Sequence, residues 1–198
     1  MSESSRKLLS LTELCDNLKS SLERAMKKEK EETAKRRKWD WTALGYAGTD
    51  FMYSAFDIGQ AIEIGRIERG DPLLEQTLEE VNSKLLLIRH SLGSAIEPIE
   101  LFVASPDELE YESLEDGCLF RSSIEFFNEL FPNPADGRYP WEPLNHEDLE
   151  EYLLLRANRI GPVDPKRIPP GIPPSHWWWW SWGERPESGS VDARAGGQ

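Results

Sequence analysis

The stretch from Asp71 to Val103 constrains the fold more than any other part of the chain. Asp71-Pro72 supplies an N-cap followed by proline at the first helical position. Leu74, Leu78, Val81, Leu85, Ile88, Leu92, Ala95 and Ile99 then recur at alternating spacings of four and three. This is the a/d pattern by which a helix offers one apolar seam to its neighbours. The pattern predicts a long helix over 72–97. Gly93 and Pro98 are its weak points, because proline removes a backbone donor and clashes with the preceding turn. A kink or break is expected between Ser94 and Glu97.

A second seam precedes it. Over residues 5–38, Leu8, Leu11, Cys15, Leu18, Leu22 and Ala25 keep strict heptad spacing. The apolar series stops at Lys27-Lys28-Glu29-Lys30-Glu31-Glu32, so the first half of this helix is expected to pack and the second to be solvated. Lys35, Arg36, Arg37 and Lys38 close it as a basic patch. Four cations at a helix C-terminus complement the macrodipole, and they also read as a nuclear import signal or an anionic contact.

Trp39-Asp40-Trp41, with Gly45 and Gly48, reads as a connection. Residues 50–69 read as a third helix with a broad apolar face, in which glycines let a neighbouring backbone approach. Ser105-Pro106-Asp107-Glu108 is a capping box that starts a short acidic helix to about Leu114. Glu115-Asp116-Gly117 turns the chain, and Ser122-Ser123-Ile124-Glu125 caps a helix with Phe126, Phe127, Leu130 and Phe131 on its core face. A proline-rich loop over 132–144 leads to a last helix that carries Leu149, Tyr152, Leu153 and Ile160 on one face and ends at Gly161-Pro162.

These elements predict an all-α fold: an antiparallel helical bundle of about three long helices plus short covering helices. The bundle occupies 1–160, an extended Pro/Trp-rich segment 161–182, and a Gly/Ser-rich disordered tail 183–198.

Charge narrows the function classes. The 198 residues carry a formal net charge of −13, unevenly spread: residues 1–38 stand at +4 and residues 70–155 at −16. An acidic body argues against nucleic-acid binding, which needs clustered cations to neutralise phosphates. Cys15 and Cys118 are the two cysteines, with no CxxC and no metal spacing around the histidines, as expected of reduced thiols inside a cell. No apolar signal region and no membrane-spanning run occur, so a cytoplasmic or nuclear location is expected.

Candidates for chemistry are few. His146-Glu147-x-x-Glu150 has Glu where a zinc-binding helix needs its second His, and is better explained as acids in a first helical turn. His90 reads as a surface residue of the central helix. Neighbouring carboxylate pairs such as Glu79-Glu80 and Glu150-Glu151 do not converge on a helix. The sequence presents no catalytic residue, cofactor site or metal site that its motifs would support.

The residues most suggestive of binding lie near the C-terminus. Pro170 and Pro173 form a PxxP within a longer proline-rich lead-in to Trp177, Trp178, Trp179, Trp180 and Trp182. Polyproline conformation costs little entropy, and indole rings supply the contact area that dominates interfaces. The segment is expected either to dock a protein partner or to strap onto its own body. The leading expectation is a non-catalytic interaction or regulatory protein that binds a protein partner through helical faces, the Pro/Trp segment, or both, with a homo-oligomer as a further form. The alternative is peripheral association with an anionic membrane surface through the basic helix end and the tryptophans. A third is a nuclear regulatory factor.

Overall fold

The computed structural model describes residues 9–35, 39–95, 114–132 and 147–180, with residues 147, 148 and 152 described by their backbone alone. Every regular element among the described residues is helical. In chain order they are α1 (Leu11–Ala34), α2 (Trp41–Glu63), α3 (Pro72–Asn82), a 3-10 turn (Leu85–Ile88), α4 (89–95), α5 (Leu114–Leu130), α6 (Glu147–Ile160) and a second 3-10 turn (Trp177–Trp179).

The first helices alternate in direction, and the cross-links between them show it. Glu32 of α1 accepts from the Asp40 N–H at the head of α2, Arg24 pairs with Asp50, and Arg66 beyond α2 donates to the Leu9 carbonyl. Helix α2 therefore runs back along α1. Gly45 and Gly48 of α2 face Ser94 and Ser91 of α4 in reverse order, so α4 runs back along α2. Lys19 pairs with Glu80 at 3.0 Å and Glu29, further along α1, with Ser91, so the run from α3 to α4 lies parallel to α1. The result is the antiparallel bundle that the seams predict, and α5 covers the other side of α2 through Phe126 and Phe127.

Among the described residues both seams face inward, with Leu11 and Leu78 half-buried and the others buried. Leu14, Cys15, Leu18, Leu22 and Ala25 of α1 share one core with Leu74, Val81, Leu85, Ile88, Leu92 and Ala95. Ser10 closes α1 with a reciprocal capping box to Glu13, which satisfies two first-turn donors at once. Asp71 accepts from the Leu73 N–H at 2.8 Å and Pro72 follows it, as the Asp-Pro signal predicts.

The central seam is not one helix: it breaks after Asn82, where no break was expected. Helix α3 ends at Asn82, and Ser83 donates its hydroxyl to the Glu80 carbonyl at 2.7 Å. Lys84 N–H bonds to Val81 O, three residues back, and the backbone tightens into the 3-10 turn. The seam survives because residues three apart eclipse in a 3-10 helix, which puts Leu85 and Ile88 inward and Leu86 and Leu87 outward. Gly93, Ser94 and Ala95 lie within α4, and the rest of the expected break region lies outside the described residues. Pro98, the Ser105 capping box and most of the 132–144 loop lie outside the described residues.

Helix α2 starts nine residues before the expected position. Asp40 caps it by accepting from the Ala43 N–H at 3.0 Å, so Gly45 and Gly48 are helical rather than part of a connection. Their role is close approach: a Cβ built on Gly48 would stand 2.1 Å from the Ser91 carbonyl oxygen. Helix α5 likewise begins at Leu114. Glu115, Asp116 and Gly117 form its first turn instead of a reversal, and Ser122 sits in its interior. In α6, Leu149 and Leu153 face the core while Ile160, placed on the same face by periodicity, is 62% exposed at the helix end.

Candidate functional site

The Pro/Trp segment lies along the protein's own body. Gly161 leaves α6 with φ 81°, a left-handed conformation that glycine adopts without a Cβ penalty. Val163 and Ile172 bury their side chains, the Pro170 carbonyl accepts from Gln60 Nε2 at 2.7 Å, and Arg167 pairs with Glu115 at 2.5 Å. Gly171, at φ 78°, fits where a Cβ would meet Ile64. Pro170 is exposed and Pro173 half-buried. The strap is thus fastened to α2 and α5 before it reaches the tryptophans.

The tryptophan run splits between interior and surface. Trp178 and Trp179 are buried, Trp177 is half-buried and Trp180 is 42% exposed. Trp182 lies outside the described residues. An indole of about 200 Å² contributes about 5 kcal/mol of gross burial at about 25 cal/mol per Å², so two of them make the strap a substantial part of the core. The body supplies their polar partners. Trp179 Nε1–H donates to Ser122 Oγ at 2.8 Å, and Trp178 Nε1–H is shared between Ser122 Oγ and the Cys118 carbonyl at 3.2 Å each.

Around this junction, Arg121 lies 4.3 Å from the Trp178 ring centroid while bonding Glu150 of α6 at 2.8 Å and Glu125 at 2.7 Å. Its guanidinium is buried, and the two carboxylates together with the indole face compensate the lost hydration. His176 stacks on Trp178 with ring centroids 4.8 Å apart and stands 3.0 Å from Ser122 Oγ through Nδ1. Burial lowers its pKa to about 4, against the pull of Glu125 and with the help of Arg121. The Cys118 thiol donates to the Trp178 carbonyl, and burial, reinforced by Glu115, pushes its pKa far up. A thiol so held resists forming the thiolate that nucleophilic chemistry needs. Ser122 and His176 are at the distance of a nucleophile and its base, yet both are fully enclosed and the hydroxyl is occupied by two indoles.

A second junction forms at the far end of α1. Glu29 and Glu32 occupy the next two heptad positions after Ala25, and both are buried. The expectation of a solvated second half is therefore wrong on this face. Glu29 accepts from the backbone N–H groups of His90 and Ser91 at 3.2 and 3.1 Å and from Ser91 Oγ at 2.8 Å. A carboxylate here receives donors that the first turn of α4 leaves without helical partners. Glu32 does the same for the Asp40 N–H at 2.9 Å and pairs with Lys35 at 2.6 Å. The Lys35 bond, then the Asp40 N–H, hold the Glu32 carboxyl below its ordinary pKa, and Lys35 is raised in turn. Of the basic patch, Lys35 is thus engaged at the C-cap of α1, and Arg36, Arg37 and Lys38 lie outside the described residues.

Aromatic rings cover this junction. His90 Nδ1 contacts Glu29 at 2.5 Å, and the ring meets Trp39 edge-on at 4.5 Å and Trp41 at 6.4 Å. His90 is half-buried and bonded, not a free surface residue. Trp41 remains 49% exposed. Leu86 and Leu87, in the 3-10 turn that immediately precedes α4, are 46% and 54% exposed.

Sequence reasoning named the tryptophans and Lys35 but missed their partners. Ser122 resembled a cap, and Arg121 lies without any motif inside the acidic block 70–155. An isolated cation on an apolar helix is the signal that marks a buried pair. No group of three or more His, Cys, Asp or Glu among the described residues is arranged to hold a metal, and no described helix is long and apolar enough to cross a membrane. Comparison of the chain with protein-family models, with curated proteins and with solved structures finds no match.

Proposed function

We propose that this chain is a non-catalytic interaction protein that binds a protein partner through the surface of Trp41, Leu86 and Leu87. The observation that carries the reading is where the chain spends its large apolar side chains. Trp178 and Trp179 are used internally, whereas Trp41, beside the hydrogen-bonded Glu29–His90 junction, and Leu86 and Leu87, in the turn that precedes it in the chain, stand exposed. Aromatic and aliphatic anchors on a rigid base lose little entropy on binding and supply most of the energy of typical interfaces. The exposed leucines belong to a 3-10 turn whose inward residues are already satisfied, so their orientation is not needed by the core.

The test compares the intact chain with Trp41→Ala/Leu87→Glu and with Ile160→Ser in quantitative affinity capture from cells that express the protein. Retained folding is checked by circular dichroism. The reading expects a saturable partner that is lost, at least tenfold, with the first variant and kept with the second. Equal capture by all three forms, or no saturable partner, would contradict it.

A further inference from the structure

The Ser122 junction has a donor–acceptor count that fixes where its protons lie. A hydroxyl oxygen has two lone pairs and one hydrogen. Trp179 Nε1–H and Trp178 Nε1–H occupy the lone pairs, so the hydroxyl hydrogen goes to His176 Nδ1. That fixes His176 as the neutral tautomer with its proton on Nε2, and Nε2 is buried with no hydrogen-bond partner. Protonating the imidazole would aim a third N–H at an oxygen that can accept it only if Trp178 Nε1–H gives up its share of Ser122 for the Cys118 carbonyl, and would place a cation in an enclosed site.

We propose that the strap is proton-gated: protonation of His176 inverts its bond to Ser122 and releases the segment around Trp178 and Trp179 from α5. The surroundings favour release rather than accommodation. On α5, Arg121 opposes the new charge and Glu125 supports it, but Glu125 is already paired with Arg121. The Cys118 thiol, also on α5, stays protonated. On α6, Glu150 is committed to Arg121. Helix α2 reaches the region through Phe56 and Gly59, which pack on Phe126 and carry no charge. The strap itself contributes the stacked Trp178 ring.

The sign follows from linkage. The folded-state pKa of His176, about 4, lies below that of a free imidazole, so closure is favoured at neutral pH and loses that advantage as pH falls towards the folded value. The opening equilibrium shifts by about twentyfold between pH 7 and pH 5.

Cys118 reports the opening, because its thiol lies under the Trp178 carbonyl. Labelling of the intact chain with dithiodipyridine, normalised to a free thiol at each pH and resolved from Cys15 by peptide mass spectrometry, should accelerate about twentyfold from pH 7 to pH 5. In His176→Phe that acceleration should vanish. The same pH dependence in both proteins would overturn the proposal. Should the variant not fold, imidazole nitrogen NMR of the unmodified chain decides. The proposal expects His176 neutral at pH 6 with the proton on Nε2, and an ordinary titration near that pH, or the proton on Nδ1, would overturn it.

Discussion

Glu29 on α1 and Ser91 on α4, 62 residues apart, are joined twice: one carboxylate oxygen accepts both the Ser91 N–H and its hydroxyl. A side chain from one helix thus completes the N-terminus of another, a task usually done by a local cap.

Removing that carboxylate strands buried donors. Glu29→Ala is expected to lower stability by about 2–4 kcal/mol and Glu29→Gln, which keeps one acceptor, by less. Urea denaturation measures both.

The glycines of α2 and α4 should respond in opposite directions. In Gly48→Ala the new methyl meets the Ser91 carbonyl, whereas Gly93 has nothing within 4 Å of a built Cβ. The first substitution should cost about 1–3 kcal/mol by forcing the helices apart. The second should stabilise by about 0.5–1 kcal/mol through helix propensity. Thermal unfolding of the two variants against the parent tests the pair.

These two relationships show where the sequence was legible. Heptad spacing located both apolar seams and hence the bundle, because burial of one face is a periodic property of the chain. It could not show that Glu29 and Glu32 continue the seam. A carboxylate in an apolar register looks solvated until the helix N-termini folded against it supply donors. Gly45 and Gly48 looked like a connection for the same reason: their value lies in the backbone of α4, which local sequence does not contain. The break at Ser83 and Lys84 was not legible because a serine hydroxyl bonding its own turn is a quieter signal than a proline. The Trp run drew attention as a feature, but its docking site required Ser122, Cys118 and Arg121 to be recognised as one helical face.

Arg121 should be intolerant of single replacement. Arg121→Met leaves Glu150 buried without its guanidinium and removes the cation from the Trp178 face, at an expected cost of about 3–5 kcal/mol. Adding Glu150→Gln should restore part of the loss, and a double-mutant cycle in urea measures the coupling.

Acid should loosen the α1–α2 corner through Glu32. Its folded-state pKa is lowered by Lys35 and by the Asp40 N–H. Its contribution is therefore present above the unfolded carboxylate value and is lost as pH falls through the folded one. Amide exchange at Asp40, followed by NMR from neutral to acidic pH, should quicken more steeply in the parent than in Glu32→Gln once corrected for intrinsic rates.

Trp178 and Trp179 of the tryptophan run belong to the protein's own core. Hydrogen exchange of the indole N–H groups in the intact chain at neutral pH tests that placement directly. The resonances of Trp178 and Trp179 should be protected at least a hundredfold more than that of Trp180, with protection falling in Ser122→Ala. Uniformly fast exchange across Trp178, Trp179 and Trp180 would contradict the claim and return the whole run to the surface as a free docking peptide.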